Sequence, residues 1–346
     1  MIQFQCDYAE GAHPNILKRL IETNDLQTVG YGEDEICDSA RARIKACIGR
    51  EDADVHFLVG GTQANLTVIA SILRPHQGVI SANSGHINVH ETGAIEATGH
   101  KVLALPSVDG TIFGYQVKEL METHIHDDSR EHTVQPAMVY ISISTENGTL
   151  YPKQQLFDLY DVCQEYGLPL FIDGARLGYA LASPANDLTI QDIATHSDVF
   201  YIGGTKVGAL FGEAVVITNP SLKRDFRYLI KQKGGMLAKG RLLGIQFDEL
   251  FKDNLYFEIS KHAIHLAMKI KTACEEFKIP FAFESFTNQQ FLVLTNKQVE
   301  KLEEKFVVSH IENRKDTKVI RICTSWATKE ENVDLLIETL KEVSLI

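Results

Sequence analysis

Three short stretches place reactive side chains where a chain normally puts apolar ones. In "DVFYIGGTKVGALFGEAVVI" (198–217), two runs typical of buried strands enclose Gly203, Gly204 and Lys206. In "PLFIDGARLGYAL" (169–181), an apolar run ends on Asp173, and Arg176 follows shortly after. In "FLVGGTQANL" (57–66), an apolar run meets Gly60 and Gly61 and passes into a helical pattern with Thr62 near its first turn. A lysine stripped of water is neutral part of the time, and a neutral amine attacks carbonyl carbon. A carboxylate at a buried strand end is costly unless it meets a cation or hydrogen-bond donors. Free amides at a helix start seat phosphate. Neither G-x-G-x-x-G nor G-x-x-x-x-G-K-[ST] occurs in the chain. Each stretch taken alone also has an ordinary reading: a glycine turn, an internal Asp173–Arg176 pair, a solvated loop lysine. In this chain order the three supply the anchors of pyridoxal 5'-phosphate (PLP). Lys206 would hold the aldehyde as a Schiff base, Asp173 would keep the pyridine nitrogen protonated, and Gly203 and Gly204 would leave room for a flat group.

Elements that could position these groups are legible as alternating strands and helices. Strand candidates are 54–59, 78–82, 101–106, 137–144, 169–174, 198–204 and 213–218, with helical patterns such as 62–73 and 153–166 between them. Strands apolar on both faces and separated by helices form a mostly parallel sheet covered on both sides, whose ligands bind beyond the carboxyl ends of its strands. From about residue 240 the pattern changes to a long helix (256–277) followed by "FAFE", "FLVLT" and "KVIRICTS". The expected organisation is an N-terminal arm with a large cofactor-binding domain (1–239) and a smaller C-terminal α+β domain (240–346).

Composition narrows the partners. With 34 Lys+Arg against 46 Asp+Glu the net charge is -12, which offers nothing to nucleic acid or an anionic membrane. Six scattered cysteines without a C-x-x-C pair fit reduced thiols in the cytoplasm. "HINVHE" (86–91) sets two histidines at i and i+4, but Ile87 stands where H-E-x-x-H needs glutamate, so no metal is expected. The start "MIQFQCDYAEGAHP" carries no signal-like pattern, and no apolar run reaches membrane-spanning length.

Read in order, "QCDYAEGAHP", "GYGEDE" (30–35), "GGTQANL", "SGHINVHETGAIEATGHKV" (84–102), "STENGTLYP" (144–152), "FIDGARLG" (171–178), "GGTK" and "VIRICTS" (319–325) resemble the landmarks of the threonine aldolase and aromatic amino acid β-eliminating lyase family. The resemblance implies a PLP-dependent transferase-like α/β fold (fold type I), with a mostly parallel seven-stranded sheet in the large domain. It implies that Gly61 and Thr62 hold the phosphate, that His86 stacks on the ring, and that Asp173 and Lys206 act as above. Arg176 and Arg321 would fix the substrate carboxylate, Arg176 lying against the cofactor as well. His86 is the chosen base or water-positioning group, with His132 second. Three positions depart from the family. Cys6 replaces a serine of the substrate-carboxylate site, "ISTEN" (143–147) stands for E-N-T-H-N, and "KGGMLAKG" (233–240) stands for G-G-G-M-R, leaving Lys239 or Lys233 to reach a phosphate. The expected reaction is cleavage of L-threonine or L-allo-threonine to glycine and an aldehyde by a homo-oligomer, dimer or tetramer. β-Elimination is the alternative, and transamination a more distant one.

Overall fold

The structure, a computed structural model, describes residues 1–346. Thirteen strands run along the chain. They are β1 (Ile2–Gln3), β2 (Asp54–Leu58), β3 (Gln77–Ala82), β4 (Lys101–Leu105), β5 (Gln135–Ser142), β6 (Leu170–Asp173), β7 (Val199–Gly203) and β8 (Glu213–Ile217), then β9 (Phe281–Phe283), β10 (Gln289–Thr295), β11 (Phe306–Val307), β12 (Ser309–Asn313) and β13 (Thr317–Cys323). The seven expected strands form one sheet in the order β2-β8-β7-β6-β5-β3-β4, with their ends shifted by a residue or two. It is parallel except at β8, which pairs antiparallel with both β2 and β7. Strand β6 shows why the pattern reads as it does. Leu170 and Ile172 face one apolar cluster and Phe171 the other, so no polar residue occurs until the strand ends on Asp173.

The C-terminal unit holds a four-stranded antiparallel sheet, β12-β13-β10-β9, under the helices Leu255–Glu276 and Glu330–Val343. Two features shift the expected division at residue 240. The helix Arg241–Leu250 and the start of Leu255–Glu276, through Ile264, pack in the large core, and the small core begins at Leu266. The N-terminal arm joins the small unit. Strand β1 pairs in parallel with β11, Phe4 donates its amide to Val307 at 2.9 Å, and Cys323 donates to the Phe4 carbonyl at 2.8 Å. No helix is long and apolar enough to cross a membrane.

Candidate active site

Lys206 lies in the turn between β7 and β8, at the carboxyl edge of the sheet. The glycines before it serve the chain rather than a ligand. A Cβ on Gly203 would lie 2.4 Å from the Ala175 carbonyl oxygen, and one on Gly204 would lie 2.8 Å from both the Gly212 oxygen and the Phe247 ring, so the expected room for a flat group is filled by protein. Glu213, buried at the start of β8, accepts from the Gly204 amide at 3.0 Å and the Thr205 hydroxyl at 2.8 Å, tying down the turn on both sides. The Lys206 carbonyl accepts from the Tyr179 hydroxyl at 2.5 Å, whereas its Nζ has no protein partner. Burial first, then the charge of Arg176, pulls this amine below the usual lysine range, against the opposing charges of Asp7, Asp173 and Glu213.

Asp173 ends β6 between two tyrosines supplied by its neighbours in the sheet. Its Oδ2 accepts from Tyr140 Oη at 2.6 Å and Asn65 Nδ2 at 3.1 Å, and its Oδ1 accepts from the Ala175 amide at 3.0 Å and from the Tyr201 hydroxyl. Burial alone would raise its pKa. The charge of His86 and the two phenolic donors outweigh that and hold the carboxyl below its ordinary value, so a buried carboxylate stays ionised. The Arg176 pairing offered as the ordinary reading does not form.

His86 opens the one-turn helix His86–Val89 after β3. Its Nδ1 lies 2.7 Å from Glu91 Oε1, which also accepts from Asn65 Nδ2 at 2.7 Å. Asn65 thus bridges Asp173 and the His86–Glu91 pair. Burial disfavours the imidazolium, but the Glu91 hydrogen bond and the charges of Asp173 and Glu91 prevail, so His86 titrates above the usual histidine range. In Glu91→Gln the His86 midpoint should fall, read by NMR titration of the imidazole; an unmoved midpoint would refute the role given to Glu91. Glu146, the fourth residue of "ISTEN", stands where the family element has histidine. Its Oε1 accepts from the His86 amide at 3.0 Å and the Ser142 hydroxyl at 2.8 Å, and burial raises its pKa.

Arg176 has a partner that sequence reasoning did not name. Its Nε and Nη2 donate to Asp7 at 2.7 and 3.1 Å, and Asn288 Nδ2 donates to the same carboxylate at 2.9 Å. This leaves Nη1 as the guanidinium nitrogen free to meet a substrate. Burial would raise Asp7, yet Arg176 and then Lys206 bring it down to about 2. Because the folded pKa is depressed, the pair's stabilisation is complete above the ordinary value of 3.8 and is lost as pH falls toward about 2. Asp7→Ala should cost ~3–5 kcal/mol by stranding a buried guanidinium, and a thermal melt at neutral pH that matches wild type would contradict this. Arg321, on β13, donates through Nη1 to Gln289 Oε1 at 3.1 Å and through Nη2 to the Gln5 carbonyl at 3.2 Å, while its buried Nε has no partner. Cys6, half-buried, lies beside this group on the arm, and Arg321, Asp7, Arg176 and Cys6 all act on the buried Cys323 thiol.

The beta-eliminating lyase family profile matches residues 11–306. The chain belongs to this family. It is 28% identical to a low specificity L-threonine aldolase of a Pseudomonas species over 99% of this chain and 97% of that one. Among solved structures, a Leishmania major threonine aldolase superposes with a TM-score of 0.97 at 46% identity, covering 99% of this chain and all of the other. A Thermus thermophilus aspartate aminotransferase variant, 13% identical with a TM-score of 0.71 over 99% of this chain and 91% of its own, shares the fold. The fold is therefore the aspartate aminotransferase type, fold type I.

Members of the beta-eliminating lyase family work with PLP, and the residues at this site fit that group. The helix Gly61–Ile72 begins at Gly60 with no capping side chain, so its first amides, those of Gly61, Thr62 and Gln63, face the sheet edge without an intrahelical partner. An unpartnered amine and an ionised buried carboxylate complete the donor set. Of the two lysines expected near phosphate, Lys233 lies on the loop whose carbonyl accepts from Gln63 Nε2 at 3.2 Å. Lys239 is exposed on the next turn, where Ala238 accepts from the Tyr31 amide at 3.1 Å. His132 falls at the opposite, amino end of β5 and takes no part. Sequence reasoning missed Asn65, Glu91, Tyr140, Tyr201 and Asp7. Strand alternation could have found the tyrosines, because Ser142 pairs with Asp173 and Tyr140 lies two residues back on the same face.

Proposed function

We propose that this chain is a PLP-dependent aldehyde-lyase that cleaves a β-hydroxy-α-amino acid, L-threonine or L-allo-threonine, to glycine and an aldehyde. The observation that carries this reading is the pairing of a desolvated, unpartnered Lys206 amine with an Asp173 carboxylate held ionised by Tyr140, Tyr201 and Ala175. When bound, PLP supplies a sink for the electron pair released at the substrate's Cα. Lys206 would hold it by its aldehyde carbon, Gly61 and Thr62 amides would hold its phosphate, Asp173 would keep its ring nitrogen protonated, and His86 would cover the ring. Arg321 and the remaining Nη1 of Arg176 would bind the substrate carboxylate, a planar fork meeting a planar anion. Fixing the carboxylate fixes which bond at Cα stands ready to break, so orientation selects the reaction. Cys6 offers this carboxylate a thiol, a weaker donor than a hydroxyl.

The native assembly in this reading is a homo-oligomer, a dimer or a tetramer built from two dimers. Leu26, Val29 and Tyr31 are exposed apolar side chains beside the Lys239 turn, which suits a surface covered by a second subunit whose phosphate Lys239 would reach. Six unpaired cysteines suit a reducing compartment such as the cytoplasm. Purified protein loaded with PLP, offered L-threonine, L-allo-threonine and L-serine, should release aldehyde and glycine from the first two. Pyruvate and ammonia without aldehyde would replace this reading with β-elimination.

A further inference from the structure

His90 caps the one-turn helix that His86 begins. Its amide donates to the His86 carbonyl at 2.9 Å, and this single turn sets the two imidazoles 5.6 Å apart, tilted by 54°. The rings differ in every other respect. His86 is fixed through Nδ1 to Glu91, and that bond with the charges of Asp173 and Glu91 raises its pKa above the usual histidine value. His90 is exposed and its ring nitrogens make no hydrogen bond with the protein. The charged groups that face it are His86 on its own helix and Arg321 on β13. Partial burial first, then these two positive charges, holds His90 below the ordinary histidine value, leaving a neutral ring with an open lone pair at physiological pH.

We propose that His90 is the base that takes the β-hydroxyl proton of the substrate and so commits the site to carbon–carbon cleavage. The assignment rests on the aldehyde-lyase reading above, which puts the substrate carboxylate at Arg321 and the cofactor ring under His86; His90 lies 5.6 Å from the His86 ring and within reach of the Arg321 charge. The balance of the step is simple. The proton passes from the β-oxygen to His90, the O–H pair becomes the second carbon–oxygen bond of the aldehyde, and the Cα–Cβ pair stays with Cα. A proton from the imidazolium or from water then converts Cα to glycine. Two neighbouring titratable groups pushed in opposite directions mark a division between acid and base. Here His86, tied to Glu91 and shifted upward, leans toward the donor role, and His90, without a hydrogen-bond partner and shifted downward, toward the acceptor role. A histidine in this position also has a consequence for selection, because an amino acid without a β-hydroxyl gives it no proton to take.

The test uses full-length PLP-loaded enzyme and two variants, His90→Phe and His90→Asn. Both are exposed-site changes, and a glycine-induced change in the visible spectrum reports that the cofactor and carboxylate sites survive. With L-threonine, kcat should fall by on the order of 10²-fold or more with little change in KM. The acidic limb of the wild-type pH profile should disappear with it. A His90→Phe enzyme that cleaves threonine at the wild-type rate with that limb intact overturns the assignment, as does loss of the limb in Glu146→Gln or His86→Asn alone. Wild-type enzyme that binds PLP and releases no aldehyde overturns both this assignment and the reading it rests on.

Discussion

Lys206→Ala protein will fold, take up PLP without the visible band of a lysine-bound aldehyde, and lose on the order of 10²–10⁴ in turnover. The loss has two sources. In the proposed reading the amine would hold the aldehyde carbon and would be placed to carry protons at Cα. Folding will survive because the wild-type amine is a liability to the empty protein. Burial and the Arg176 charge depress its pKa, so a charged lysine is disfavoured in the fold and stability rises with pH as that proton is lost. Removing the amine removes the penalty, and the Gly204 and Thr205 contacts that shape the turn do not involve the side chain. Borohydride treatment of wild type followed by peptide mapping should place the reduced adduct on Lys206. A variant that keeps the visible band, or an adduct on another lysine, would end the assignment.

Asp173→Asn should lower kcat by ~10²–10³, as when one preorganised electrostatic partner is removed from a reacting centre. The substitution is nearly isosteric and the surroundings can absorb it. With the new amide in the Oδ2 position, Tyr140 can turn its hydroxyl to accept from it while Tyr201 and the Ala175 amide still donate to the remaining carbonyl oxygen, and only the Asn65 bond is lost. What is lost is the negative charge that would keep the cofactor's ring nitrogen protonated. PLP binding should weaken less than turnover, and the visible band should shift its pH dependence. Rates near wild type would show that the charge of Asp173 is not used.

Strands and anchors were legible for the same reason. An apolar run that ends on a glycine, an aspartate or a lysine carries its message within a few residues, so β6 with Asp173 and the β7 turn with Lys206 could be read directly. The antiparallel sense of β8 could not, because direction is set by how the turn at Lys206 closes and leaves no mark on "EAVVI". Nor could the partners. Arg176 sits three residues from Asp173 in sequence, and local spacing suggested a pair between them. The fold instead turns the guanidinium to Asp7, across 169 positions, and gives Asp173 to donors from three other elements. Glu91 was in plain view as the last residue of "HINVHE", but its use depends on a bend after His90, where Thr92 takes a left-handed backbone (φ 53°).

The arm has a consequence for how the molecule is made. Ile2 and Gln3 find their places only against Phe306 and Val307. A ribosome adding about 5–20 residues per second exposes the arm roughly 15–60 s before that partner strand exists. The large sheet, whose last strand ends at Ile217, can assemble in the meantime, but Phe4, three residues before Asp7, meets its partners Val307 and Cys323 only when nearly the whole chain has emerged. Nascent chains stalled before residue 306 should therefore protect the sheet from protease while leaving the first ten or so residues open to it. The arm beside Arg176 is thus fixed by its pairing with β11 and β13, long after Lys206 has been placed.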